Sequence, residues 1–586
     1  MGSYDLVIKN GTVIDGTQVP RFFGDLAIRD GVIVEIGANI PTEAAAQVID
    51  ATGLIVAPGV IDPHTHYDAQ INWDPYCTSS GWHGNTSFVV GNCGFGFMPC
   101  RPGDRERYML MMENTEQVPV AAMRTALPWT WESFPEWMEH MKRLPKGVNV
   151  ASYMPLNSLL IYVMGYEAAK TRGATTEERR QMRALLNEAM DAGAIGFGFS
   201  YLNDMNSHKD IDGSPMPTDK MNVEDAYYLA EMLRERDEGV IQVLCELVSG
   251  VRNRHVAEEL ARISGRPVLH NVVSASDARP SHHTSVMAWL DECQIKGLNI
   301  YSQTLAFRVW GEFNAIDQTG WQMVPPFKEF THAGDASAKV VLAANPGFRA
   351  RAREQYKPEL MHGAGTPIES WLLLRAAGAM AWTKYEGLKI SQIAQAVGNL
   401  PVDCFFDIVA ASNGEADFRS TESGSKNPSY VAQLLKHPRI IPGTSDGGAH
   451  VKFFSGGHFA TDNIAWLVKE TGLMTLEELH FKLSFLPARI LGFEKRGALL
   501  EGYAADIYIY NYHELDYDRS GYEVLRDLPG NDRRRVVRPV GIRYCIVNGA
   551  VTLENGKPTG ALTGRMLDNR KRTRRGQPQP KAAVAA

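Results

Sequence analysis

The stretch Ile55-Val-Ala-Pro-Gly-Val-Ile-Asp-Pro-His64-Thr-His66 decides the fold. It is a short apolar run punctuated by Pro and Gly, which suits a buried strand better than a helix. It ends in two histidines spaced by one residue. Residues two apart on a strand point to the same face, so both imidazoles can converge on one cation. Carboxyl ends of strands are where (β/α) barrels build their sites. The competing reading is a pair of surface histidines after a strand.

Working outward, seven more buried runs recur: Asn85–Asn92, Gly147–Tyr153, Ala194–Ser200, Gly239–Cys245, Arg266–Val273, Gly297–Gln303 and Arg439–Gly443. With Leu54–Asp62 they make eight strand candidates. Segments with helical apolar spacing, such as Thr176–Asp191, Val223–Arg236 and Val256–Ile263, lie between several of them. The fold class is therefore α/β, a (β/α)8 TIM barrel. The gap before the eighth run is too long for one crossover. It is expected to hold helices such as Ile368–Tyr385 and an insertion around 304–360 rich in Phe307, Trp310, Phe313, Trp321, Pro325, Pro326 and Phe327.

The two ends share another grammar. Alternating runs meet at Asn10-Gly11, Asp30-Gly31, Asn548-Gly549 and Asn555-Gly556, which are hairpin signals. Residues 1–57 and 485–565 are expected to form one small β-sandwich, with the barrel in 58–484 and a disordered tail at 566–586.

Composition narrows the function. The 586 residues carry a net charge of −7 and 44% apolar residues, so no basic surface argues for nucleic acid. No apolar run approaches the ~20 residues of a transmembrane helix, and no membrane partner is expected. Seven scattered cysteines and a start without a secretory pattern suit a reducing, cytoplasmic setting.

Two further elements carry chemistry. Asn92-Cys93-Gly94 closes the second strand; its thiol is either a soft metal ligand or a small core residue. Gly443-Thr-Ser-Asp446-Gly-Gly-Ala-His450 closes the eighth. A carboxylate there can bind metal and take a proton from water, or it can serve a plain turn.

Together with Gly91-Asn-Cys-Gly, Trp82-His-Gly-Asn-Thr and Gly502-Tyr-Ala-Ala-Asp, these motifs give a chain that resembles the N-acyl-D-amino-acid deacylase (D-aminoacylase) branch of the amidohydrolase superfamily. The resemblance implies one or two Zn2+ ions per chain, with His64, His66, Cys93 and Asp446 as ligands. It also implies Asp446 as general base and then general acid, and a small-molecule amide as substrate, an N-acyl amino acid or a related bulky amide.

The fifth and sixth strands depart from the family pattern. They read Ile241-Gln-Val-Leu-Cys-Glu246 and Pro267-Val-Leu-His270-Asn271, without the usual histidine on the fifth. Glu246 and His270 are the candidate replacements as ligands; the alternatives are an ion pair with an Arg such as Arg252 and a hydrogen-bonded core histidine. His208, in a loop after the fourth strand, and Arg252 are candidate substrate contacts. Other functions compete: a cyclic-amide hydrolase, disfavoured because the fourth strand has no Lys to bridge two metals; a lactone or ester hydrolase, which attacks a carbonyl in the same way; and a non-catalytic scaffold.

Overall fold

The computed structural model describes residues 4–43, 45–247, 250, 252–277, 279–317, 324, 327–361, 366–421 and 425–569. Eight parallel strands form the barrel: β1 Val60–Asp62, β2 Asn85–Val90, β3 Asn149–Ser152, β4 Gly196–Ser200, β5 Val240–Leu244, β6 Val268–Val273, β7 Ile300–Thr304 and β8 Ile440–Pro442. Ladders join β1 to β2 to β3, and β4 through β7 to β8. Between β8 and β1 the closure is carried by the loops above them, where the His66 amide donates to the Gly447 carbonyl at 2.8 Å.

The barrel interior is layered. Ile61, Val89, Ala151, Val240, Leu269 and Ile441 fill one apolar layer, and Ala488, Ile490, Leu491 and Phe493 pack against it. Nearer the strand ends the inward side chains turn polar, with Gln242, Asn271 and Gln303 all buried. Burying amides is tolerable only where they bond one another and their neighbours, and here they do so at the site.

The run Leu54–Asp62 is divided rather than continuous. Ile55–Pro58 pairs antiparallel with Ile507–Tyr510 and parallel with Thr12 and Val13, so it belongs to the nine-stranded sheet built from both ends of the chain. After Gly59 the chain enters the barrel as β1. A Cβ on Gly59 would lie 2.2 Å from the Thr86 hydroxyl, so only glycine lets β1 start against β2. The sheet's core is Leu6, Ile8, Leu26, Ile28, Val56, Ile507, Ile509 and Ile546. Residues 486–493, grouped with that sheet in the sequence reading, pack against the barrel layer.

Between β7 and β8 a satellite core runs from Phe313 to Phe418, well beyond the 304–360 window. Its aromatic residues Phe313, Phe327, Phe405 and Phe418 pack on one another. Trp321, Pro325 and Pro326 lie outside the described residues. Ile368–Tyr385 is not a helix: Leu372–Arg375 is a strand paired with Asp417–Arg419, and left-handed backbone at Ala377 and Gly378 ends it. Of the expected tail, residues 570–586 lie outside the described residues. Leu567 just before them donates its amide to the Val150 carbonyl at 2.7 Å. Among the described residues no single helix is long and apolar enough to cross a membrane.

Candidate metal centre

His64 and His66 leave β1 on the same face, and both are buried. Cys93 comes from the turn after β2, where Gly91, Cys93 and Gly94 have φ of 80°, 56° and 82°. That backbone costs a non-glycine residue on the order of 1 kcal/mol or more, and it is kept only where surrounding structure enforces it. It aims the thiol at His64, with Sγ 3.4 Å from Nε2. The donor atoms of His64, His66 and Cys93 all lie within 4.8 Å of one another.

Asp446 stands over this group, its Oδ1 3.4 Å from His64 Nε2 and 3.8 Å from His66 Nε2. Its loop is seated by specific bonds. The Ser445 hydroxyl donates to buried Asp62 at 2.6 Å, and the Gly447 amide donates to the Ser445 hydroxyl at 2.9 Å. A Cβ on Gly448 would come within 2.8 Å of the His66 carbonyl, so the close approach of this loop to β1 needs glycine. Asp446 and His450 both have left-handed φ, 51° and 52°.

A second group adjoins the first. Glu116 ends the helix α1 (Arg105–Glu116) and lies 3.7 Å from His66 Nε2. His208 and His450 face its two oxygens at 3.8 and 3.5 Å. The ligand-capable atoms of Glu116, His208 and His450 also lie within 4.8 Å of one another.

Inward amides from β5, β6 and β7 hold the first group. Gln242 accepts from the Cys93 amide at 2.8 Å and donates to Asn271 at 3.0 Å. Asn271 Nδ2 and Gln303 Oε1 lie 3.0 and 3.2 Å from His64 Nδ1. With its Nδ1 proton donated to Gln303, His64 presents an unprotonated Nε2 to Cys93 and Asp446, the tautomer a metal ligand needs.

Electrostatics fit a cation. Burial pushes His64 down to about 4 and His66 well below its ordinary value, so both rings are neutral near pH 7. Burial also raises Cys93 well above the usual thiol range, helped by Glu116 and Asp446. Asp446 rises to about 7 because of burial, and Glu116 rises well above the carboxylate range through burial, Asp446 and Asp68. Among the described residues, these three acidic groups face neutral imidazoles and have no positive partner of their own. A divalent ion would supply it, and this donor set of imidazoles, thiolate and carboxylates suits zinc.

The structure does not bring Glu246 and His270 to this centre. Neighbouring residues on a strand point to opposite faces. Because Asn271 faces His64, His270 faces outward, packed at 5.0 Å on Trp289 with Nδ1 2.9 Å from the Ser302 hydroxyl. Glu246 is held by Arg254 through two bonds of 2.6 Å, with His270 Nε2 at 3.3 Å. These partners keep its carboxyl low, at about 2. Arg252 is exposed, and its contact with Glu246 is a backbone bridge. Glu246→Gln is accordingly expected to leave metal content unchanged while lowering stability by roughly 3 kcal/mol, because Arg254 loses a buried ion-pair partner. Urea unfolding of the variant, with metal analysis on the same preparation, checks both halves.

The model of the amidohydrolase family matches residues 47–353. The chain belongs to the amidohydrolase family. The reaction class that goes with it is metal-dependent hydrolysis of an amide bond. An uncharacterized protein of Mycobacterium tuberculosis is 26% identical over 547 residues, covering 89% of this chain and 86% of that protein. N-acyl-D-aspartate deacylase of Alcaligenes xylosoxydans xylosoxydans is 36% identical over 196 residues, 33% of this chain and 36% of the enzyme. Among solved structures, D-aminoacylase aligns with a TM-score of 0.64 at 20% identity, covering 96% of this chain and all of that one. N-acyl-D-glutamate deacylase from Bordetella bronchiseptica, solved with zinc and a phosphonate inhibitor, aligns at 0.63 with 22% identity, covering 97% and 100% of the two chains. The fold is shared with both.

Sequence reasoning did not place Glu116 beside His66 and took His208 only for a pocket residue. Gln242, Asn271, Gln303 and Ser445 were also unforeseen as the groups packed around His64, Cys93 and the Asp446 loop. The last was within reach: a Ser beside Asp446 in a glycine-rich loop is a local hydrogen-bonding signal.

Proposed function

We propose that this protein hydrolyses a linear amide, an N-acyl amino acid or a related bulky amide, using zinc held by His64, His66 and Cys93 with Asp446 beside them. The observation that carries the reading is the convergence of two neutral buried imidazoles, a thiol and a carboxylate at the mouth of the barrel. When bound, such an ion polarises the scissile carbonyl and lowers the pKa of an attacking water.

The chain's own residues supply the rest. Asp446 keeps 23% side-chain exposure, so it can meet both water and substrate. Its Oδ1 takes the proton of the attacking water and returns it to the departing nitrogen. Gln303 accepts from the His64 ring and holds it in place, and Gln242 holds the Cys93 turn.

Support for the substrate class comes from a cavity of about 270 Å³ next to the centre. Gln117 lines it and reaches within 3.4 Å of His450 Nδ1. Leu110, Pro119, Ile211 and Ile316 give it apolar walls, and its charged groups balance, Lys339 and Lys452 against Glu113 and Asp317, with Lys452 paired to Asp317 and Asp532. The apolar walls suit a bulky acyl group. The test is hydrolysis of a panel of N-acyl amino acids by protein stripped with chelator and then supplied with zinc. Activity that returns with zinc is the expected result. Hydrolysis that is indifferent to chelator would overturn the reading.

A further inference from the structure

We propose that Glu116, His208 and His450 form a second divalent-cation site, built from elements other than the fifth and sixth barrel strands. The inference rests on the reading of His64, His66 and Cys93 as the first metal site. Its three donors come from the C-terminus of α1, the loop after β4 and the loop after β8.

The case begins with the Glu116 carboxylate. Its side chain is 1% exposed, and neither oxygen has a hydrogen-bond partner among the described residues. Leaving such a group buried without compensation is expensive. All of its near basic neighbours among the described residues are imidazoles: His66, His208 and His450. Burial keeps His208 and His450 neutral, at about 4 and 3, so they bring lone pairs rather than charge. Glu116 also sits on the last residue of a twelve-residue helix, where the helix dipole disfavours a negative charge. Glu246 provides the contrast, for it is just as buried but is answered by Arg254.

One cation between the three side chains resolves each of these costs. A carboxylate with two imidazoles is a donor set used for zinc and other divalent transition metals. Two orientations fit as well. His208 turns Nδ1 and His450 turns Nε2 toward Glu116, and the other nitrogen of His450 meets Gln117. His208 and His450 keep 20% and 18% side-chain exposure, which leaves an entry route from solvent.

The test is zinc content per chain for the full-length protein after stripping, zinc loading and desalting, beside Glu116→Gln, His208→Asn and His450→Asn. Asparagine tolerates the left-handed backbone of position 450, and circular dichroism checks that each variant folds. Two ions in the wild type and one in every folded variant is the expected result. A parallel loading with cobalt reads the first site separately, through the thiolate-to-cobalt absorption of Cys93, which should persist in all three variants. One ion in the wild type with that absorption present would overturn the second site and leave the first intact. Two ions retained in the variants would also overturn it, and no ion at all would remove both.

Discussion

His66→Ala is expected to strip the protein of its first metal and to lower kcat/KM by about 10³-fold or more, the worth of several kcal/mol of Lewis-acid stabilisation. The ring is buried, neutral and central: its Nε2 lies 3.8 Å from Asp446 and 3.7 Å from Glu116. Its loss opens the wall shared by the two groups. Alanine there removes no structural hydrogen bond from the ring, since Nδ1 has no partner among the described residues, so the fold should survive. Elemental analysis beside steady-state kinetics checks this. His270→Ala is the control, for that ring faces the helix layer and its loss should leave metal content unchanged.

Asp446→Asn should separate the metal from the chemistry. The amide keeps the shape and one oxygen of the carboxylate but cannot take a proton, and general acid–base catalysis is worth 10² to 10⁴. We expect kcat to fall about 10³-fold while most of the metal stays with His64, His66 and Cys93. The pH profile gives a second readout. Burial holds Asp446 at about 7 without a cation, and a neighbouring cation draws that value down. The base must be ionised to work, so wild-type activity should fall as pH drops through the resulting value. In Asp446→Asn that acidic limb should vanish. Full activity in the variant would remove Asp446 from the mechanism.

What was legible in the sequence was what lies close together along the chain. His64 and His66 are two residues apart on one strand, and Cys93 and Asp446 each close a strand in a glycine-marked turn. That spacing made them candidates locally, and the resemblance supplied the roles proposed for them. The eight barrel strands could be read from apolar runs of the right length, although Pro58-Gly59 divides the first between two sheets. Glu116 was hidden because a helix-terminal Glu is ordinary in sequence; only the fold brings it to His208 and His450 across gaps of 92 and 334 residues. Strand parity decided His270. One position of register separates it from Asn271, and a sequence motif cannot say which of two adjacent residues faces the barrel axis. Glu246 was a plausible ligand by residue type, but Arg254, eight residues on, claims it.

The most direct measurement is anomalous X-ray scattering at the zinc edge on crystals of the zinc-loaded protein. A peak within bonding distance of His64, His66 and Cys93 is the predicted result, with Asp446 at its edge. A peak on Glu246 and His270, or none near β1, would contradict the account.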